Sequence, residues 1–184
     1  MIYLIAALLL LSAPDLNEFF GEREFIETNS NKTITVNIHA RESDTLIEAK
    51  TGMLRYTEAL TLVNDTLYIK YRKLSAGLLS FTLRYRPRRP RIIFPPVSDT
   101  VFYEGTEIRP GRDYTVKSRI ITMVSDSRFT VISETERNNG KTDISVLKLS
   151  DDYAVEAVEM EIPAFLGLYR LAGFKSPQFK LEVK

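Results

Sequence analysis

Beyond residue 30 the chain alternates between apolar and polar side chains, which is the pattern of strands with one buried face. Residues 33–40 are the clearest example, because Ile34, Val36 and Ile38 occupy every second position with polar residues between them. Comparable alternation elsewhere predicts about ten short strands in all. The other segments are residues 60–63, 66–71, 79–86, 91–94, 100–103, 114–116, 119–124, 128–133, 143–149 and 178–183.

Turn-forming residues separate these segments and indicate how the strands connect. Asn64-Asp65 is the whole connection between two alternating runs, which is the length of a tight hairpin. Many short strands divided by such turns predict an all-β fold, namely an immunoglobulin-like antiparallel β-sandwich. Residues 151–175 are less clear, because both a strand and a helix agree with their pattern. The remaining turn signals are Pro87, Pro90, Pro95-Pro96, Gly105, Pro110-Gly111 and Asn138-Asn139-Gly140.

The first thirteen residues form an apolar segment, MIYLIAALLLLSA. A helix needs about 20 apolar residues to span a bilayer, so this run is short for a transmembrane helix and resembles a secretory signal peptide. Two alternatives stay open: a retained segment that binds a membrane or adds a strand to a neighbouring subunit, and an ordinary core element. We therefore expect an extracytoplasmic protein with a β-sandwich domain over residues 14–184 and a candidate internal boundary at residues 87–96.

Composition excludes several chemistries. The chain has no cysteine and one histidine, with a formal net charge of +1, which removes disulfides, thiolate catalysis and zinc sites built from several cysteines or histidines. His39 falls on the polar face of its predicted strand, where nothing would orient it as a catalytic base. We expect no catalytic residues, no metal site and no cofactor, and therefore a protein that is not an enzyme.

Basic residues concentrate in the predicted strands around residue 80. Alternation places several of them on one solvent-facing surface, which favours binding of an anion or docking of a partner through planar guanidinium groups. The alternative is that the charges and prolines only protect an edge strand from aggregation. Acidic stretches elsewhere in the chain suit head-to-tail association of identical subunits. The predicted patch consists of Lys70, Arg72, Arg84, Arg86, Arg88, Arg89 and Arg91.

Two Asn-x-Thr patterns are potential N-glycosylation acceptors, at Asn31 and Asn64. Asn64 lies at the predicted hairpin tip, where an acceptor should be exposed. Modification would require export into a glycosylating compartment.

Residues 100–124, TVFYEGTEIRPGRDYTVKSRIITMV, resemble a hairpin unit of bacterial cell-surface β-domains and of phage tail or baseplate proteins. The likeness rests on a strand, a turn at Gly105, a second turn at Pro110-Gly111 and an isoleucine-rich closing strand. Tyr114 and Val116 are expected to point inward and Thr115 outward. The resemblance implies a structural or assembly role and brings no catalytic residue with it.

These patterns predict a non-catalytic structural or assembly subunit of a cell envelope, filament or surface layer. Its expected partners are further copies of itself or envelope proteins, with a polyanion or glycan as an additional candidate, and nucleic acid is the least favoured partner. A virion tail or capsid protein is the first alternative. A carbohydrate- or ligand-binding module is the second, and an exposed row of Tyr56, Tyr68 and Tyr103 would favour it.

Overall fold

The computed structural model describes residues 20–41, 44–126, 128–161 and 178–183. These residues form twelve β-strands joined mostly by short turns. The predicted signal peptide and the remaining part of residues 151–175, from 162 onward, lie outside the described residues. The strands are β1 (Gly21–Glu27), β2 (Lys32–Arg41), β3 (Asp44–Thr51), β4 (Leu54–Val63), β5 (Thr66–Ala76), β6 (Leu79–Ile93), β7 (Asp99–Arg109), β8 (Arg112–Ser125), β9 (Arg128–Arg137), β10 (Thr142–Ser150), β11 (Val155–Glu161) and β12 (Gln178–Val183).

Each strand pairs antiparallel with its neighbours in sequence, and β1 pairs with β12, so that the sheet closes into a barrel. The all-β part of the prediction is confirmed, but the immunoglobulin-like sandwich of about ten strands is wrong. Sandwich and barrel strands share the same two-residue period, because each has one face on a core and one on solvent. Closure of the barrel depends on pairing between β1 and β12, and the alternation of apolar and polar residues within each strand does not show which strands pair.

Three strands show why the count differs. β1 and β3 were not predicted, because charged residues interrupt their apolar positions, as in Gly21–Glu27, GEREFIE. β11 resolves the ambiguity over residues 155–161 in favour of a strand. The predicted Asn64-Asp65 hairpin is confirmed: Val63 pairs with Thr66 across the turn.

The barrel has two ends. We call the end with the connections after odd-numbered strands the first end, and the end with the connections after even-numbered strands the second end. Apolar side chains such as Phe25, Leu60 and Leu149 fill the interior. Near the second end, Tyr153 packs between Phe94 and Phe129 at ring-centroid distances of 5.4 and 5.3 Å. No helix among the described residues is long and apolar enough to cross a membrane.

Pairing between β6 and β7 is short. Only Arg84–Arg86 of β6 pair with residues 106–108 of β7, and the rest of both strands separates. The Tyr103 hydroxyl bridges this opening by donating to the Pro87 carbonyl at 2.7 Å. We call the opening the seam.

The hairpin at residues 100–124 is formed by β7 and β8, and its turn at Pro110-Gly111 lies where the sequence placed it. Val116 is buried, Tyr114 half-buried and Thr115 exposed, as expected. Gly105 does not form a turn, because β7 continues through it. Glycine is required at this position for a different reason. A Cβ there would collide with the Tyr103 ring and lie 2.8 Å from the Arg86 carbonyl oxygen.

Candidate functional site

The predicted basic patch is divided between the two sides of the barrel wall. Lys70, Arg84, Arg86 and Arg88 are exposed on the outside. The other three residues, Arg72, Arg89 and Arg91, are buried inside with at most 4% of their surface exposed. The prediction of one shared solvent-facing surface is therefore wrong for those three arginines. We call Arg84, Arg86 and Arg88 the wall arginines, and Arg72, Arg89, Arg91 and the equally buried Arg137 the inner arginines.

Two features of the strands explain this division. β5 has register shifts against β4 and β6, between Ala59 and Leu60 and between Ile69 and Tyr71. A bulge of this kind changes which residues face inward, so that Arg72 follows the buried Ile69 on the inner face. β6 continues past Pro87 to Ile93, whereas the sequence interpretation divided it there.

Inside the barrel, one half of the buried network is centred on Glu58. The Arg72 Nε donates to the Glu58 Oε1 at 2.9 Å, and the Arg91 Nε lies 3.7 Å from the same oxygen. The Arg91 Nη1 continues the network by donating to the Ser145 Oγ at 3.0 Å. Arg89 has hydroxyl partners, since it donates to Ser118 at 3.0 Å and to Ser133.

The other half of the network is centred on Arg137. Its Nε and Nη2 donate to the two oxygens of Glu107 at 2.8 and 3.0 Å, and its Nη1 donates to Asp143 at 2.8 Å. Arg109 also pairs with Glu107. The Tyr85 hydroxyl donates to Glu107 at 3.2 Å. This half is balanced, with two guanidinium groups and two carboxylates.

The ionisation of this network suits a structural role. Burial alone would raise the pKa of Glu58, but the neighbouring arginines, Arg72 first, lower it below its ordinary value. For Glu107 burial is again outweighed, here by the hydrogen bonds and charge of Arg137, and its pKa is also lowered. Carboxylates held in the ionised form accept hydrogen bonds and are poor proton donors near neutral pH.

The spaces inside the barrel are small. An apolar cavity near the first end, lined by Ile34, Leu54, Leu74, Met160 and Leu181 among others, has a volume of about 40 Å³. Pockets for drug-sized ligands have about 300–1,000 Å³. This cavity is therefore too small for an organic ligand of that size.

Among the described residues, exposed basic residues predominate at the first end. Lys141 lies in the β9–β10 turn, and Lys50, Arg55 and Arg112 lie within two residues of other turns. In the described part of this end, the exposed acidic residues within the same distance are Asp113 and Glu136.

Exposed acidic residues predominate at the second end. Asp65, Asp126, Asp151 and Asp152 lie in its turns, and Asp99 begins β7 directly after the loop there. Hydrogen bonds from the Ser150 hydroxyl and the Ala154 amide lower the pKa of Asp152 and keep it ionised. As far as the structure describes these connections, the exposed cations within two residues of them are Arg41 and Arg128, and Arg128 pairs with Glu156 at 3.5 Å.

Both ends also expose apolar side chains. Leu78 at the first end is fully exposed, and Met53 and Leu79 in or beside its turns are more than half exposed. Strand pairing brings Leu54 opposite Ala76, so the two turns that carry these residues are neighbours. The apolar residues exposed at the second end include Leu62, Val63, Val97 and Val124.

The remaining predicted residues are scattered over the barrel, with Asn31 in a turn of the first end and Asn64 in a turn of the second end. Asn31 and Asn64 are exposed in tight turns with positive φ. His39 lies 3.9 Å from Glu48, on the outer face as expected. Tyr103 is buried, whereas Tyr56 and Tyr68 are half-buried, so the three tyrosines form no exposed row.

The charged residues of the buried network and of the two ends can all be read from the sequence. Residue order alone did not show that they come together in space. The alternation from Leu83 and Tyr85 continues to Arg89 and Arg91, and this was the available signal for their inward position. Within the described part of the chain, no cluster of three or more potential metal ligands occurs.

Comparisons with protein-family models, curated proteins and solved structures give no significant match.

Proposed function

We propose that the protein is a non-catalytic structural subunit that associates end to end with further copies of itself. The observation that carries this proposal is the opposite charge of the two barrel ends. A surface that binds a different surface on an identical copy gives a head-to-tail contact, which generates an open filament or a ring. Basic residues of the first end would face acidic residues of the second end across each contact.

The apolar residues at both ends supply the rest of the contact. Charge complementarity steers association and sets orientation, while apolar burial contributes more of the affinity. Met53, Leu78 and Leu79 at one end would pack against apolar residues of the other, such as Leu62 and Val97. Twelve strands spaced about 4.8 Å apart give an end roughly 30 Å across with side chains. Such a face is comparable in area to the ~800 Å² per partner of an ordinary interface.

The filled interior also favours association over catalysis or enclosure of a ligand. Buried charges pair with one another around Glu58 and Arg137, and the apolar cavity is small. The exposed parts of the barrel are therefore its main means of contact with other molecules. Such a subunit could belong to the cell envelope or surface after export, or to a virion. Both settings stay predictions.

The test is the mass of the full-length protein by light scattering after size exclusion, as a function of protein and salt concentration. We expect species larger than one chain at low salt and partial dissociation at high salt, because exposed charges are screened. Reversal of the first end by Lys50→Glu and Arg55→Glu should give the monomer. Reversal of the second end by Asp151→Lys and Asp152→Lys should do the same.

Mixing the two variants supplies the decisive control. The acidic first end of one variant now faces the basic second end of the other, and the two unchanged ends stay complementary, so we expect mixing to restore assemblies in which the two variants alternate. The matched control is Lys117→Glu with Arg119→Glu, which reverses the same number of charges on the outer wall. A monomeric wild-type protein at all concentrations, or a control that dissociates as strongly as the end variants, would exclude end-to-end association.

A glycan-binding module is the second candidate, supported by a groove on the outer wall. The groove has a volume of about 450 Å³, and outward side chains of β1 to β4, including Thr35, Asn37 and Glu48, line it. Polar side chains of this kind hydrogen-bond sugar hydroxyls. Titration with a panel of soluble polysaccharides tests this candidate, and Asn37→Leu should abolish any binding that the groove provides.

A further inference from the structure

Among the described residues, the buried network has more positive than negative charge. Five arginines, namely Arg72, Arg89, Arg91, Arg109 and Arg137, share the network with three carboxylates, namely Glu58, Glu107 and Asp143. Glu107 and Asp143 are occupied by Arg109 and Arg137. Arg72, Arg89 and Arg91 therefore share Glu58. A further buried carboxylate, Glu27, accepts hydrogen bonds from backbone amides of its own turn.

The surplus is located at Arg89 and Arg91. Arg89 has the hydroxyl groups of Ser118 and Ser133 as partners and packs 5.5 Å from the Tyr85 ring centroid. Burial lowers the pKa of Arg89 to about 10, which leaves it charged at neutral pH. The Arg91 Nε is buried and has no hydrogen-bond partner among the described residues. Glu58, which already pairs with Arg72, lies 3.7 Å from this nitrogen, beyond hydrogen-bond distance, and a buried donor without an acceptor is costly.

A small cavity lies beside Arg91 at the seam. Its volume is about 30 Å³, and its lining includes Arg91 and Thr122 with apolar side chains such as Ile92, Val101 and Ile120. A water-sized particle needs at least ~10–15 Å³ of such space, so the cavity admits a monoatomic ion and excludes larger organic anions. Asp99 also lines it, but Asp99 is exposed and its carboxylate accepts a hydrogen bond from the Thr100 amide.

We propose that this cavity binds a monoatomic halide ion, of the size of chloride. The ion would accept a hydrogen bond from the Arg91 Nε and balance part of the surplus charge of Arg89 and Arg91. Its path from solvent is the seam, where β6 and β7 are not paired beyond residues 84–86. The site lies within one barrel and does not depend on association of copies.

The test is the thermal unfolding midpoint of the full-length protein at constant ionic strength, while gluconate is replaced by chloride or bromide. A ligand that binds only the folded state raises stability with its concentration relative to its Kd. We expect a Tm rise of a few degrees that begins at low halide concentration. Arg91→Met should abolish the rise. The control Arg119→Met removes an exposed arginine that pairs with Glu134 on the outer wall, and it should keep the rise.

A direct readout complements the variants. Crystals grown in bromide should show an anomalous peak within hydrogen-bond distance of the Arg91 guanidinium. Absence of that peak, or a Tm that follows ionic strength regardless of the anion, would overturn the proposal even if Arg91→Met did not fold. The monomeric Lys50→Glu, Arg55→Glu variant should respond to halide like the wild type. Failure of the halide site and failure of end-to-end association are thus separate results.

Discussion

On β6, the wall arginines Arg84, Arg86 and Arg88 face solvent, whereas Arg89 and Arg91, one and three residues after Arg88, lie inside the barrel. The side chains are chemically identical, and only the face of the strand differs. Outside, water and salt screen each guanidinium, and pairs contribute little to stability. Inside, each guanidinium needs partners in the protein or a bound ion, so its effect on stability depends on the groups around it.

The two halves of the buried network also differ in how well their arginines are paired with carboxylates. Arg137 is balanced by Glu107 and Asp143, whereas the direct partners of Arg89 among the described residues are hydroxyl groups and an aromatic ring, with no carboxylate in contact. Removal of a balanced cation leaves buried carboxylates uncompensated. Removal of a surplus cation does not. The inner arginines should therefore differ as much from one another as they do from the wall arginines.

The largest effect is expected for Arg137→Met. Loss of this guanidinium leaves Asp143 without its cationic partner and Glu107 with Arg109 as its remaining cation, and breaking a buried pair costs about 3–5 kcal/mol of unfolding free energy. Urea denaturation followed by circular dichroism measures the loss. The control Arg119→Met on the outer wall should cost at most ~1 kcal/mol. Equal losses in the two variants would contradict the distinction between the inside and the wall.

The next effect concerns acid stability and Glu58. Its folded-state pKa is lowered from the ordinary value of 4.5, so its contribution is present above about pH 4.5 and is lost as the pH falls through the folded pKa. The unfolding free energy of the wild type should therefore decrease below pH 4.5. Glu58→Gln should be less stable at neutral pH and have a shallower acid slope. A variant with the wild-type slope would show that Glu58 is not part of the acid response.

A smaller effect is expected for Arg89→Met in halide-free buffer. The change removes an unbalanced buried charge and replaces it with an apolar side chain of similar length, which is often neutral or stabilising. We expect a change in unfolding free energy within about 1 kcal/mol of zero. A loss as large as that of Arg137→Met would mean that Arg89 is balanced by a group outside the network described here.

The smallest effect on stability is expected for the combined change of Arg84, Arg86 and Arg88 to Ser. Exposed substitutions usually alter stability by less than ~0.5 kcal/mol each. End-to-end association should also persist, because these residues lie on the outer wall, away from the ends. Light scattering of the triple variant checks this. Salt-dependent loss of assembly would show that the contact between copies involves the basic patch predicted from the sequence and not only the ends.

The site was partly predictable. Lys70 and the wall arginines are exposed, as alternation indicated. Arg72 was misplaced because a bulge in β5 shifts the pattern by one residue, and a bulge leaves no clear trace in residue order. Arg89 and Arg91 were misplaced because a buried arginine is rare, and Pro87 suggested the end of the strand.

The sequence by itself determined the local properties of this protein. Period-two alternation with turn residues such as Asn64-Asp65 specifies strands and hairpins, because each depends on neighbouring residues. Its composition excluded chemistry that depends on cysteine or several histidines. Only the tertiary structure decided that β1 meets β12, that Arg72, Arg89 and Arg91 share an interior, and that opposite charges gather at opposite ends. Those features depend on contacts between residues far apart in the chain. The energy of such a contact depends on how deeply it is buried, and the sequence of one strand does not specify that burial.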